Sequence, residues 1–189
     1  MTTINLKVAL VIPVFLFASF AAADIPVQSV DYSKSYIIAI ARQVGVPVEG
    51  TFKKFSAKIK FDPAKLSDSK AEIEIDTATY DLGDDDFNKE VRKKDWFSTT
   101  AFPKANFVTT SVKSDGKDHY VANGKLTIKG KTADVVAPIS VKTEGGNTIY
   151  EGTVPIKRLQ FNIGDGDWKD TSTVADEVQI KFHIVVAKK

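Results

Sequence analysis

Few side chains in this sequence have the types and spacing that catalysis or metal binding requires. There is no cysteine, which excludes thiol catalysis, zinc–thiolate sites and disulfide exchange. The two histidines, His119 and His183, are too few for a multi-histidine metal site, and we expect both on the surface. No Gly-x-Ser-x-Gly nucleophile elbow is present. The sequence therefore predicts no catalytic residue and no metal ligand, and we interpret the protein as a non-enzyme.

Three short motifs resemble parts of ligand-binding loops, but each fits a structural role better. Gly130-Lys131-Thr132 could end a phosphate-binding loop, yet that loop requires glycine five positions earlier, where Lys125 stands. A hairpin turn is the better interpretation. Residues 164–170 place aspartates as a calcium loop would, but Asp170 occupies the sixth position, which requires glycine. The run Asp84-Asp85-Asp86 is typical of a helix N-cap and first turn.

Residues 1–23 have the three parts of a secretory signal peptide. Lys7 supplies the positive charge, residues 8–20 are almost wholly apolar, and small residues precede a cut after Ala23. The apolar run is shorter than the roughly 20 residues that span a bilayer, and Pro13 interrupts it. We therefore expect export to the periplasm, cleavage, and no stable membrane insertion.

The predicted mature chain, residues 24–189, has the length of one domain. Its 25 basic and 24 acidic residues leave a net charge of +1, so there is no electrostatic case for binding nucleic acid. Its apolar residues recur mostly with period two, which is typical of half-buried strands. The clearest examples are AEIEIDTAT (residues 71–79) and VQIKFHIVV (residues 178–186).

The pattern predicts an all-β fold of eight antiparallel strands. The predicted strands cover residues 35–43, 55–61, 71–79, 105–114, 119–128, 133–143, 148–161 and 178–186. Short glycine-containing turns join several of them, which favours antiparallel neighbours. A short helix is expected between the third and fourth strands, within residues 80–102. Pro138 and Pro155 fall inside predicted strands and suggest a bulge, a bend or a strand break.

The aromatic residues are the remaining distinctive feature. The chain has 12 Phe and two Trp, and many of them follow predicted strand ends. In a barrel that keeps a cavity, core and pocket wall are the same residues. Composition therefore leaves open whether the interior is a filled core or a ligand pocket, and periodicity alone does not separate a barrel from a sandwich.

Several segments, in order, resemble the YceI-like family of lipocalin-like polyisoprenoid-binding proteins of the bacterial periplasm. The resemblance covers residues 32–188. The segments that carry it are GVPVEGTF (45–52), FDP (61–63), IEIDTAT (73–79), DWF (95–97), FP (102–103) with Phe107, GKLTIKG (124–130), IKR (156–158), residues 164–170 and VADEV (174–178). The resemblance implies an eight-stranded antiparallel lipocalin-like barrel around a long apolar tunnel. It also implies an isoprenoid ligand, a polyprenyl species or a prenylated quinone, and makes a homodimer plausible.

The resemblance also guides the choice of candidate ligand-binding residues. Its strand pattern places Ile37, Ala39 and Ala41 inward, where small alanines would leave room for a ligand. Many relatives carry histidine where this chain has Gln43, which bears on the head group. The candidates are Ile37, Ala39, Ala41, Arg42, Gln43, Val44, Phe52, Phe55, Trp96, Phe97, Phe107 and Phe161.

Two alternatives to the isoprenoid carrier stay open at this point. One is a binder of a fatty acid or fatty amide; a carboxylate would want a cation at the pocket, and Arg42 is the candidate for that role. The other is an interaction protein whose barrel is filled. No cofactor is expected. The bound molecule expected for the carrier is the polyisoprenoid or prenylated quinone itself.

Overall fold

A computed structural model describes residues 24–187 of the chain; the predicted signal peptide, residues 1–23, lies outside them. The described part contains ten strands and one α-helix. In chain order the elements are β1 (Tyr36–Gln43), β2 (Val46–Phe52), β3 (Phe55–Lys60), β4 (Lys70–Asp76), β5 (Tyr80–Asp81), α1 (Asp85–Val91), β6 (Lys104–Ser114), β7 (His119–Ile128), β8 (Lys131–Glu144), β9 (Asn147–Lys157) and β10 (Glu177–Val186).

The ten strands form one antiparallel sheet that curls into a half-barrel. Their order is β3-β4-β6-β7-β8-β9-β10-β1-β2-β5, so β3 and β5 are the edges. The predicted all-β, antiparallel fold is confirmed, with two strands more than expected. Of these, β2 contains Pro47 and Gly50, which hide its alternation, and β5 has two residues. Neither presents the period-two pattern from which the other strands were predicted.

Two predicted strands end earlier than the apolar pattern suggested. β4 stops at Asp76, whose side chain accepts a hydrogen bond from the backbone N–H of Ala78 and starts the 3-10 turn Thr77–Thr79. β9 stops at Lys157 and is followed by the 3-10 turn Arg158–Phe161. Each turn keeps a buried side chain just beyond the strand end, Thr77 in the first and Phe161 in the second.

The predicted helix is confirmed, together with its cap. The Asp84 side chain accepts hydrogen bonds from the backbone N–H groups of Asp86 and Phe87. It thereby satisfies donors that an α-helix leaves free at its start. After α1 the chain stays compact, with the Phe97 N–H bonded to the Val91 carbonyl at 3.0 Å. This segment carries Trp96 and Phe97 against the interior of the half-barrel.

The two internal prolines interrupt a ladder rather than a strand. β8 and β9 continue through Pro138 and Pro155, but they pair only from Ser140–Glu151 to their hairpin. The Pro138 carbonyl points at β9, since a Cβ on Gly152 would lie 2.1 Å from its oxygen. A proline there lacks a donor towards β9, and strand alternation places Pro155 with its missing donor towards β8. The pairing between the two strands therefore ends before it reaches the prolines.

The first described residues lie across the sheet as a strap, which we define as residues 24–31. The Gln28 N–H donates to the Ile59 carbonyl at the β3 edge, and the Asp31 N–H donates to the Val185 carbonyl of β10. Val30 forms an isolated bridge with Val186. The strap therefore connects the free edge of β3 to a strand on the other side of the half-barrel.

The end of the half-barrel beyond β9 is filled around one buried cation. Arg158 is 2% exposed, and its guanidinium donates to five backbone carbonyls. The acceptors are the carbonyl oxygens of Ile163, Gly164, Trp168, Val174 and Ala175, at 2.7–3.1 Å. Burial lowers the pKa of Arg158, and the Asp176 carboxylate opposes that shift. The loop between β9 and β10 is thus folded around this side chain.

Gly164 shows how closely the loop encloses the guanidinium. Its φ is +71°, and a Cβ at this position would lie 2.3 Å from Nη1 of Arg158. Beside it, Phe161 is fully buried. Residues 164–170, which resembled a calcium loop, instead form the 3-10 turn Gly166–Lys169, and Asp165 is bound to Lys169.

We expect Arg158→Met to destabilise the protein by roughly 3 kcal/mol or more, because it leaves five buried carbonyls without their donor. Urea unfolding followed by circular dichroism would show this as a lower midpoint at unchanged slope. The matched control is Arg42→Met, because Arg42 is exposed and donates to one carbonyl, that of Gly45. The control should stay within about 0.5 kcal/mol of the wild type. Equal stability of the two variants would contradict the role of Arg158.

Candidate ligand-binding cavity

The half-barrel encloses an apolar cavity with a volume of about 160 Å³. Residues of nine of the ten strands line it, all except those of β5. The wall is apolar apart from five residues that carry a polar group: Lys60, Ser69, Lys70, Thr109 and Tyr150. Strand alternation explains the lining, because every second side chain of each strand points inward.

Small side chains on adjacent strands keep this space open. Ala71, Ala105, Ala122 and Ala137 lie in the wall on β4, β6, β7 and β8. The last three are 5%, 2% and 4% exposed, so they are enclosed rather than solvated. Larger residues in these positions would fill the interior. The cavity therefore follows from the choice of alanine at these inward-facing positions.

An aromatic cluster bounds the cavity at one end. Phe52, Tyr80 and Phe97 pack with ring centroids 4.6–6.1 Å apart, and Phe52 and Phe97 also line the cavity. The Tyr80 ring lies over Gly50, where a Cβ would come within 2.3 Å of it, and its hydroxyl reaches the Ala39 carbonyl at 3.5 Å. Burial raises the pKa of Tyr80. The space left by the small residues of β1 and β2 thus holds Tyr80.

This placement corrects one expectation about β1. Ile37 lines the cavity as predicted, but Ala39 and Ala41 do not. Ala39 is buried against Tyr80, and Ala41 is half-buried beside the core. Small residues on an inward face were interpreted as room for a ligand. They are equally room for an aromatic ring from another strand, and the sequence does not distinguish the two.

The predicted site residues divide into three groups. Ile37, Phe52, Phe97 and Phe107 line the cavity. A second group packs in or beside the hydrophobic core but does not line the cavity: Ala39, Ala41, Phe55, Trp96 and Phe161. Arg42, Gln43 and Val44 are exposed at the turn between β1 and β2.

The third group lies outside the cavity wall. The Arg42 guanidinium donates to the carbonyl of Gly45, Gln43 bridges to Val174, and Val44 is 73% exposed with a φ of 48°. The strand ends here and turns, so its side chains leave the interior. Contact of these residues with a head group stays a prediction, and the geometry does not bring them to the cavity.

The polar wall residues gather at the end of the cavity nearest the β3–β4 connection. Lys60 and Lys70 stand directly opposite each other on these strands, and Ser69 precedes Lys70. The Ser69 hydroxyl donates to backbone carbonyls of the same connection. Thr109 accepts a hydrogen bond from the N–H of Ala71. This end, opposite the aromatic cluster, was not predicted, because no motif in the sequence connects β3, β4, β6 and β9.

Tyr150 is a second buried polar residue at this end, beside Ser69. It is 5% exposed, and its hydroxyl donates to Oε1 of Gln28 in the strap at 2.8 Å. Burial raises the pKa of Tyr150 to about 12. Phe61 lies edge-on to both Tyr150 and Tyr120, with centroids 5.6 and 4.9 Å away. Gln28 belongs to no strand, so no pattern in the sequence indicates that it would contact a wall residue.

The outer face carries the polar side chains that were expected there. His183 points outward as predicted; its Nδ1 lies 2.8 Å from Glu151, and its ring stacks on Tyr36. Lys142 binds the other oxygen of Glu151, and both neighbours lower the pKa of that carboxyl. Within residues 24–187, no three His, Cys, Asp or Glu side chains are grouped as a metal site requires. The helix in this part of the chain is too short to cross a membrane.

The fold and the cavity define a class of protein: an antiparallel β half-barrel around an apolar interior that is sealed by aromatic rings at one end. Over residues 28–186 the chain matches the YceI-like domain. It belongs to the YceI-like family, and the resemblance found in the sequence is confirmed.

Sequence relatives include UPF0312 proteins of two bacteria. One, from Shewanella denitrificans, is 36% identical over 108 residues, which is 57% of this chain and 53% of that protein. The other, from Pseudomonas fluorescens, is 33% identical over 154 residues, 75% of this chain and 76% of that protein. The chain thus spans about half the length of the first relative and three quarters of the second.

Two solved structures share the fold. BcnA of Burkholderia cenocepacia is 50% identical, with a TM-score of 0.81, over 83% of this chain and 99% of that one. A polyisoprenoid-binding domain from Saccharophagus degradans is 14% identical, with a TM-score of 0.68, over 86% of this chain and 98% of that one. At that identity the second likeness shows the fold alone.

The burial of Tyr150 predicts a loss of stability at alkaline pH. Its folded-state pKa of about 12 lies above the ordinary value of 10.0, so the folded protein holds this proton more tightly. The stabilisation is fully present below pH 10.0 and is lost as the pH rises towards 12, by about 2–3 kcal/mol in all. Urea unfolding at about pH 9 and about pH 11.5 would measure this loss.

Tyr150→Phe should lose distinctly less stability between the two pH values than the wild type. Tyr36→Phe is the control; it removes a hydroxyl from the outer face, keeps Tyr150, and should show the full loss. Identical pH dependence in all three proteins would contradict the burial of this hydroxyl.

Proposed function

We propose that the protein is a periplasmic carrier that holds a long isoprenoid-type lipid, a polyprenyl species or a prenylated quinone, in its apolar cavity. The observation that carries the proposal is the cavity itself, enclosed by inward-facing residues of nine strands and apolar over nearly all its wall. The shared fold of a domain that binds polyisoprenoid in Saccharophagus degradans supports the ligand class. The family supports a binding role rather than an enzymatic one.

The lipid chain alone can supply the affinity. Each methylene moved from water into an apolar site contributes about 0.8 kcal/mol. Fifteen buried carbons would therefore contribute a gross ~12 kcal/mol, before the entropy cost of ordering the chain. A wall with few polar groups is sufficient for such a ligand, and it would not select strongly between chains of similar shape.

The two alternatives fit the structure less well. A fatty-acid carboxylate would want a cation inside the cavity, but Arg42 lies outside the wall, Lys60 is paired with Asp24 at 2.7 Å, and Lys70 is exposed to solvent. An interaction protein with a filled barrel would lack an internal cavity of this size. A neutral isoprenoid or amide is compatible with the wall.

Export and oligomeric state belong to the same proposal. Residues 1–23 have the features of an export signal, and a lipid carrier in the periplasm would move ligands that cannot cross an aqueous gap alone. A homodimer is expected from the family resemblance. Cell fractionation and the mass of the native protein in solution would test these two points.

Native mass spectrometry, with organic extraction of protein purified from a bacterial periplasm, tests the central claim. We expect one co-purifying species per chain or per dimer, with a mass that contains isoprene repeats. A protein that is recovered without ligand and also does not bind added prenyl quinones would contradict the carrier function and favour an interaction protein.

We expect Ala137→Phe to abolish or greatly weaken binding of an added prenyl quinone, because the new ring would occupy the cavity from β8. Ala137 is 4% exposed and lies in the wall, whereas its neighbour Val136 is 56% exposed on the outer face. Val136→Phe is therefore the matched control and should bind like the wild type. Thermal unfolding would confirm that both variants fold. Full retention of ligand in a folded Ala137→Phe protein would show that the ligand lies elsewhere.

A further inference from the structure

The strap meets the polar end of the cavity through several polar contacts. Four of them join it to residues in the cavity wall. Asp24 pairs with Lys60 at 2.7 Å, and the Gln28 N–H donates to the Ile59 carbonyl at 2.8 Å. The Gln28 side chain accepts from the Tyr150 hydroxyl and reaches the carbonyl of Phe61 at 3.5 Å. Ile59, Lys60, Phe61 and Tyr150 all line the cavity. The strap therefore closes the polar end, and Gln28 makes the central contact.

The Tyr150 hydroxyl is a neutral donor placed in an apolar wall. It carries a single proton, which the Gln28 oxygen accepts at 2.8 Å. Because burial raises the pKa of Tyr150, the hydroxyl keeps that proton throughout the physiological range. A ligand oxygen that reached this end could accept the same proton in place of the Gln28 amide. The exchange would replace one neutral hydrogen bond by another, and the half-buried Gln28 amide would then be hydrated by solvent.

The rings around this hydroxyl suit a flat group. Phe61 stands edge-on to Tyr150 and to Tyr120, at interplanar angles of 82°. Aromatic rings attract a further planar ring in an offset-stacked or edge-to-face arrangement. The local wall thus combines one hydrogen-bond donor with aromatic surface.

The charged groups at this end are Lys60, Lys70 and Asp24, and one of the two lysines is held in an ion pair. The Lys60 ammonium is held by the Asp24 carboxylate, and this ion pair lowers the pKa of Asp24. Lys70 stands opposite Lys60 and is exposed to solvent, and its charge also acts on Asp24. A phosphate or carboxylate would have to displace Asp24 from Lys60, or draw the Lys70 side chain in from solvent. A neutral acceptor oxygen at Tyr150 requires neither change.

We propose that the Tyr150 hydroxyl is the hydrogen-bond donor to the ligand head group, and that Gln28 of the strap accepts this hydrogen bond when no ligand is bound. The head group is neutral and carries an acceptor oxygen, as a quinone, phenol or alcohol does. This rests on the proposed carrier function, whose ligand chain would fill the apolar wall. The chain supplies affinity, and the Tyr150 hydroxyl selects among head groups.

Three probes with isoprenoid chains separate these contributions: a prenylated benzoquinone, squalene, which has no head group, and a polyprenyl phosphate. Binding is measured by displacement of a fluorescent apolar dye.

The wild-type protein should bind the quinone more tightly than the phosphate. Tyr150→Phe should weaken quinone binding about five- to tenfold, the loss of one hydrogen bond, and leave squalene unchanged. Gln28→Leu should strengthen quinone binding, because the competing acceptor is gone. Tyr36→Phe, on the outer face, should match the wild type.

The opposite signs of the two variants make the proposal testable apart from the carrier function. If Tyr150→Phe weakens squalene as much as quinone, the ring acts by packing and the donor role is wrong. If the phosphate binds best and Lys60→Gln abolishes that preference, the head group is anionic and the proposal is overturned. If quinone and squalene bind equally in all variants, the carrier function stands without this head-group site. If no probe binds the wild type, both proposals fail.

Discussion

The structure depends on the burial of one positive charge. A guanidinium removed from water has to be surrounded by acceptors, since an unpaired buried ion is among the most unfavourable features a fold can contain. Arg158 meets this requirement with five backbone carbonyls from the loop between β9 and β10. Those carbonyls belong to a segment with little regular structure of its own, and Arg158 supplies the hydrogen bonds that strands would otherwise make. The loop therefore folds into the half-barrel as a plug, and any cavity must lie in the remaining part of the interior.

The aromatic cluster and the alanine-rich wall divide that remaining part. Tyr80 fills the space over Gly50 and Ala39, so the interior beside β1 and β2 is closed by a ring. Farther along, alanines of β6, β7 and β8 face inward and line the cavity. Close packing elsewhere makes this division sharp, because protein interiors leave few voids larger than a water molecule. The cavity is thus set by which strands carry small residues and by which of these small residues have a ring as neighbour.

The sequence predicted the features that depend on local patterns. Alternation located eight strands, and Asp84 marked the start of the helix, because an N-cap is a contact between residues two or three positions apart. It failed where the decisive contact joins distant segments. Ala39 looks the same whether a ligand or Tyr80 lies above it, and 41 residues separate the two. The bond between Gln28 and Tyr150 spans 122 residues. Phe52, Phe97 and Phe107, which were chosen with the help of the family resemblance, line the cavity, and their contact with a ligand stays a prediction.

The pairing of strands also bears on how a lipid could enter and leave such an interior. A chain that contributes about 0.8 kcal/mol per methylene is held tightly by a closed wall, so exchange requires part of the wall to open. Local opening occurs where backbone hydrogen bonds are fewest.

In the part of the chain that the structure describes, two such places adjoin the cavity. One is the strap, which is attached at the β3 edge by few bonds. The other is the stretch of β8 and β9 beyond Ser140 and Glu151, where Pro138 and Pro155 remove donors from the ladder. The second lies between strands that both line the cavity. Since proline permanently removes the donor, this interruption is a fixed property of the sheet, whereas the strap is held to the wall by individual hydrogen bonds and one ion pair. For the proposed carrier, these two places are where opening of the wall would cost the fewest backbone hydrogen bonds.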